Sequence, residues 1–162
     1  MTVSDRARRV RLLCVDVDGV LTDAGMYYGP DGEVLKKFNT RDGMGLERVR
    51  EAGVAVAIIS GEDSAIVHAR ATKLKIDDVF SGAADKRLAI DQLCARHGLG
   101  VDEVAFIGDD LNDLPALECV GLACAVADAA EPVKAVAHYV TERRGGDGAV
   151  REVCELLIAA RQ

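Results

Sequence analysis

The chain has 162 residues, 49% of them apolar and 29% charged, with a formal net charge of −7. This length suits one domain of roughly 100–200 residues, and the balance excludes a disordered, low-hydrophobicity chain. The negative charge points away from a binder that tracks nucleic-acid phosphates, and no apolar run approaches the ~20 residues of a membrane span.

The predicted elements run as follows. Met1 to Arg11 is polar and basic with no apolar h-region, so no secretory signal is read there and a cytoplasmic location is expected. Arg11 to Asp16 reads as a buried strand. Tyr27-Tyr28, the turn Gly29-Pro30-Asp31-Gly32, and Glu33 to Phe38 read as a hairpin, an insert over about 24–40. Gly43 to Glu51 reads as a helix stopped by Gly53. Val54 to Ile59 is a second strand, ending at Ser60. Asp63 caps a helix through Leu74. Val79-Phe80 is a short strand, and Lys86 to His97 a helix ending at Gly98. Val104 to Ile107 is a strand ending at Gly108. Leu111 to Cys119 reads as a short helix containing Pro115. Leu122 to Val126 is a fifth strand, and Gly148 to Ala160 a closing helix. Five cysteines (Cys14, Cys94, Cys119, Cys124, Cys154) form no Cys-x-x-Cys and read as buried reduced thiols. Alternating strands and helices predict an α/β, Rossmann-like fold over 1–162. The sheet is mostly parallel with helices on both faces, and ligands bind at the carboxyl ends of its strands.

Those ends carry the chemistry. The first strand ends Asp16-Val17-Asp18-Gly19, the second Ser60-Gly61, and the fourth Gly108-Asp109-Asp110-Leu111-Asn112-Asp113. Lys86 opens the helix between them. Clustered carboxylates resist ionising together unless a cation intervenes. Hard oxygen donors from two loops suit Mg²⁺, whose octahedron is completed by water and a substrate phosphate.

In this order the motifs resemble the haloacid dehalogenase (HAD) phosphohydrolases. The resemblance spans nearly the whole chain. Phe38-Asn39-Thr40-Arg41-Asp42-Gly43 and Arg143 to Glu152 narrow it to a small, capless branch. That branch includes 3-deoxy-manno-octulosonate (KDO) 8-phosphate phosphatase and the 9-phosphate phosphatases of nine-carbon 2-keto-3-deoxy acids (KDN or N-acylneuraminate). The resemblance implies that Asp16 attacks phosphorus and that Asp18 is acid and base. It implies that Ser60 and Lys86 hold the phosphoryl oxygens, and that Asp16, the Asp18 backbone carbonyl and Asp109 bind Mg²⁺. Asp110 and Asp113 play supporting parts. By the same resemblance, Asn39, Thr40, Arg41, Asp42, Gly43, Gly61, Arg70 and Asn112 are expected to line the pocket for a sugar-acid phosphate. Relatives in this branch are tetramers built on their hairpins, so a homo-oligomer is expected, with Tyr27, Tyr28 and Phe38 at its interface.

One departure bears on the substrate. The KDO phosphatase pattern has Arg after the second strand's Gly, where this chain has Glu62. Glu62 with Lys73 resembles the nine-carbon branch, so a nine-carbon 9-phosphate is the expected substrate and KDO 8-phosphate the alternative. Two other classes compete. A phospho-acceptor receiver would place its acceptor after the third strand and lack an Asp18. A catalytically idle oligomerisation module would not need the complete motif set present here.

Overall fold

Four successive apolar residues, Leu12–Val15, form strand β1, and all four are fully buried, as a strand covered on both faces requires. The computed structural model describes residues 1–162. A short helix, α1 (Val3–Arg9), precedes β1. Then follow β2 (Tyr27–Gly29), β3 (Gly32–Leu35), α2 (Thr40–Glu51), β4 (Ala55–Ile59), α3 (Ala65–Lys73) and β5 (Asp78–Phe80). The second half holds α4 (Lys86–His97), β6 (Val104–Gly108), α5 (Leu114–Leu117), β7 (Leu122–Ala125), α6 (Glu131–Val136), β8 (Tyr139–Val140) and α7 (Ala149–Ala159).

Six strands form one parallel sheet in the order β5-β4-β1-β6-β7-β8. Val15 of β1 pairs with Ile58 on one side and Ile107 on the other. The chain leaves β1 toward β4 and β5, then returns to β6 on the opposite side. This reversal opens a crevice beyond the carboxyl ends of β1 and β6. Right-handed crossovers place α2 and α3 on one face and α4 to α6 on the other. Accordingly α7 packs on α2 and α1, and α4 on α5. Phe106, Ile58, Leu13 and Ile107 fill the middle, each contributing about 1.5–3 kcal/mol by leaving water. No helix is long and apolar enough to cross a membrane.

The hairpin is β2 and β3 alone, a separate antiparallel pair ending at Leu35 rather than Phe38. Tyr27, Tyr28, Val34 and Leu35 are each half or more exposed on it. Three further elements lie beyond the sequence reading. A capping box between Thr2 and Asp5 starts α1 inside the polar N-terminal segment. Glu131-Pro132 opens α6, and β8 is only two residues long. Helix α2 starts at Thr40, not Gly43, because the Asn39 side chain accepts from the Arg41 N–H at 2.8 Å. Helix α3 starts after Ser64, and Asp63 does not cap it. Near Pro115 the predicted helix splits into a 3₁₀ turn, Leu111–Asp113, and α5.

Candidate active site

Asp16 follows the last residue of β1, and its N–H bonds Ile107 O at 3.2 Å. The chain then turns sharply. Val17 O accepts from the N–H groups of Val20, Leu21 and Thr22, and Thr22 Oγ1 accepts from Gly19 N. Across the sheet switch, the loop after β6 is folded by its own carboxylates. Asp113 Oδ2 accepts from Asp109 N at 2.8 Å and Asp110 N at 3.3 Å, and Asp110 Oδ1 accepts from Leu111 N. The oxygens of Asp16, Asp109 and Asp113 come within 4.8 Å of one another.

Lys86 is the first residue of α4, where the helix dipole disfavours a cation. Its side chain instead reaches inward, donating to Asp16 Oδ1 at 2.8 Å and Asp113 Oδ1 at 2.5 Å. Lys86, Asp16 and Asp113 are all buried. One ammonium thus bonds two of the three clustered carboxyl groups. Burial and the Asp113 charge push Asp16 up to about 6 despite Lys86. Burial and the charges of Asp16 and Asp113 push Asp109 up to about 8. A cluster of hard oxygens short of positive charge fits a divalent cation such as Mg²⁺.

Asp18 is better exposed than Asp16. A lysine that sequence reasoning missed, Lys36, donates to Asp18 Oδ1 at 2.6 Å and lies 2.8 Å from Glu33 Oε1. Its side chain is only 2% exposed. The signal was the Lys36-Lys37 pair at the hairpin's end. Successive residues of an extended chain point to opposite sides, and Lys37 goes outward to Asp23.

A cleft of about 220 Å³ is lined by Asp16, Asp18, Ala24, Gly61, Glu62, Asp109, Asp110 and Asn112. Ser60, buried at the end of β4, holds the turn here, its Oγ accepting from Glu62 N. The remaining predicted residues lie elsewhere. Asn39, Thr40 and Arg41 line a larger cavity of about 850 Å³ with Lys37 and Arg144. The two spaces adjoin across the Asp23–Gly25 turn, since Ala24 lines one and its neighbours the other. Asp42 is buried, its carboxylate accepting from Gly148 N and Arg151 N at the start of α7. Gly43 packs against Arg70, whose guanidinium lies 5.4 Å from the Phe38 ring and donates to Asn39 O. Phe38 therefore braces α3 against the hairpin's end. Lys73 is exposed at the end of α3.

Residues 62–153 match the haloacid dehalogenase-like hydrolase family. The chain belongs to that family. It is 46% identical to the 3-deoxy-D-manno-octulosonate 8-phosphate phosphatase KdsC of Yersinia pestis over 158 residues, 98% of this chain and 84% of the relative. The crystal structure of the Yersinia pestis phosphatase superposes with a TM-score of 0.95 at 45% identity, covering 98% of this chain and 86% of that one. The Moraxella catarrhalis phosphatase, solved in complex with magnesium ion, phosphate ion and KDO, superposes with a TM-score of 0.94 at 39% identity, covering 98% and 91%. The protein is a HAD sugar-acid phosphatase of the KDO 8-phosphate phosphatase type, and its cofactor is Mg²⁺.

These likenesses overturn the expected preference for a nine-carbon acid. Relatives similar along nearly the whole chain are named for KDO 8-phosphate. The expectation rested on the charges of Glu62 and Lys73, both of which are exposed. Water and salt screen such charges, so they weigh little against the likeness of the whole chain.

Proposed function

We propose that the protein hydrolyses KDO 8-phosphate to KDO and phosphate. The observation that carries this reading is Asp16, buried against Lys86 beside Asp109, in a chain 46% identical to a KDO 8-phosphate phosphatase. Asp16 attacks phosphorus in line and forms an aspartyl-phosphate, splitting one hard displacement into two easier ones. Asp18 protonates the leaving sugar oxygen, then takes a proton from the attacking water. Lys86 and Ser60 bind the phosphoryl oxygens, and Asp113 holds Lys86 in place. Asp110 and Asn112 shape the rim of the cleft with Gly61 and Glu62. Mg²⁺ would be held by Asp16, the Asp18 carbonyl and Asp109, and supplies charge neutralisation at the phosphoryl group.

The adjoining cavity offers Arg41, Arg144 and Lys37 to the substrate's carboxylate. A guanidinium fork suits that group. The hairpin supports a homo-oligomer, proposed as a tetramer. An isolated two-stranded ribbon is marginal in water, and Tyr27, Tyr28, Val34 and Leu35 leave an apolar face uncovered.

The test is steady-state phosphate release with Mg²⁺, comparing KDO 8-phosphate with glucose 6-phosphate, which lacks a carboxylate. A kcat/KM at least about a hundredfold higher for the sugar acid, on the order of 2.7 kcal/mol in transition-state binding, supports the reading. Equal values would remove the carboxylate from recognition.

A further inference from the structure

We infer that Lys36 is a positioning residue that decides which oxygen of Asp18 handles the proton. The inference rests on the reading of Asp18 as acid and base. It also rests on a geometry the phosphatase motifs do not contain. Lys36 comes from the residue after β3, not from the sheet, and its ammonium sits 2.6 Å from Asp18 Oδ1 with 2% of its side chain exposed. Glu33, three residues earlier on β3, holds the same ammonium, 2.8 Å from Oε1 and 3.1 Å from Oε2. A buried lysine between two carboxylates has little freedom to leave.

An ammonium carries three donors and no acceptor. The carboxylate oxygen it bonds must therefore remain an acceptor, and the mobile proton is confined to Oδ2. In the first step Asp18 Oδ2–H gives its proton to the leaving oxygen as the phosphorus–oxygen bond breaks. The bonding pair stays on that oxygen, while Asp16 forms the new bond to phosphorus. In the second step water loses a proton to Oδ2, its oxygen bonds phosphorus, and the Asp16–phosphorus linkage breaks. Without Lys36 either oxygen can carry the proton and the carboxyl can rotate, so fewer encounters have the proton facing the leaving group. Glu33 keeps Lys36 aimed, which ties the acid to the hairpin. The hairpin then has a part in the chemistry besides its apolar outer face.

The test is a series of phosphomonoesters without sugar handles, from nitrophenyl through phenyl to ethyl phosphate, with kcat/KM read through the first irreversible step. Good leaving groups need no proton, and poor ones do. Lys36→Met is expected to lower kcat/KM about tenfold or more for ethyl phosphate and less than about threefold for nitrophenyl phosphate, within the 10²–10⁴ that acid catalysis supplies. Lys36→Arg is expected to recover much of the loss, and Glu33→Gln to show a weaker form of it. Equal loss across the series would make Lys36 a brace of the fold. Loss confined to KDO 8-phosphate would make it a reader of the sugar. Either result overturns the inference. If Lys36→Met does not fold, Lys36→Gln is read on the same series. Wild-type protein that releases no phosphate would instead overturn the proposed function, so the two failures are distinct.

Discussion

A β-carbon built on Gly19 would lie 1.9 Å from Asp109 Oδ2. Gly19 also has φ +88°, a left-handed conformation that costs other residues about 1–2 kcal/mol. The Asp16–Gly19 turn is thus packed directly against the Asp109 carboxylate at the site. Gly19→Ala is expected to lower Tm and to weaken Mg²⁺ binding by displacing Asp109. Calorimetric titration with Mg²⁺ checks this, and unchanged metal affinity would show that the loop yields freely.

Lys86 compensates two buried carboxylates. Removing one partner of a buried pair costs about 3–5 kcal/mol. Lys86→Met should therefore lower both stability and turnover. Adding Asp113→Asn should restore part of the stability, because it removes one uncompensated charge, while activity stays lost. Chemical denaturation and phosphate release on both variants separate the two effects. Recovery of activity in the double variant would mean Lys86 serves only the fold.

The raised carboxyls set a pH dependence. Burial and neighbouring charge push Asp109 up to about 8 and Asp16 up to about 6, from an ordinary 3.8. Groups raised by folding hold protons more tightly in the folded state. Their stabilisation is complete below about 3.8 and is lost as pH rises through about 6 and then about 8. Mg²⁺ competes with those protons for the same oxygens. The rise in Tm on adding Mg²⁺ should therefore be larger at about pH 8 than at about pH 5, and a rise independent of pH would contradict the account.

Asp42 caps α7 from another helix. Gly148, at that helix's N-terminus, has no side chain to do so, and Asp42 accepts from Gly148 N and Arg151 N instead. Asp42→Ala should cost about 0.5–2 kcal/mol, the usual range for a lost cap. Urea unfolding measures the cost. At saturating substrate kcat should change little, whereas a large fall in kcat at unchanged stability would place Asp42 in the chemistry.

Much of this was legible in the sequence because its signals are local. Apolar runs ending in Asp-x-Asp, Ser-Gly and Gly-Asp-Asp placed Asp16, Asp18, Ser60 and Asp109 at strand ends, where the sheet gathers most of them around one cleft. What was missed depends on contacts distant in sequence. Gly145 carries no periodic signal, yet a β-carbon there would lie 1.8 Å from Gly19 O, so the Arg143–Gly148 loop lies directly against the Asp16–Gly19 turn. Lys36 reaches Asp18 across 18 positions, and Asp42 reaches Arg151 across 109. Strand β8 was invisible because Tyr139-Val140 is too short to show a period. Exposed charges misled, since Glu62 and Lys73 resemble the readers of a nine-carbon acid while the rest of the chain resembles KDO 8-phosphate phosphatases.

The most direct test of the account is the covalent intermediate. The Asp18→Asn variant is mixed with KDO 8-phosphate and Mg²⁺, quenched in acid, and its peptides are read by mass spectrometry. Loss of the acid and base should slow both steps, by a factor of about 10²–10⁴, leaving time to trap the phospho-enzyme. The account predicts a phosphoryl group on Asp16, absent from the Asp16→Asn variant and absent when EDTA removes the metal. Turnover of KDO 8-phosphate with no phosphoryl group on Asp16, or with one on another residue, would contradict it.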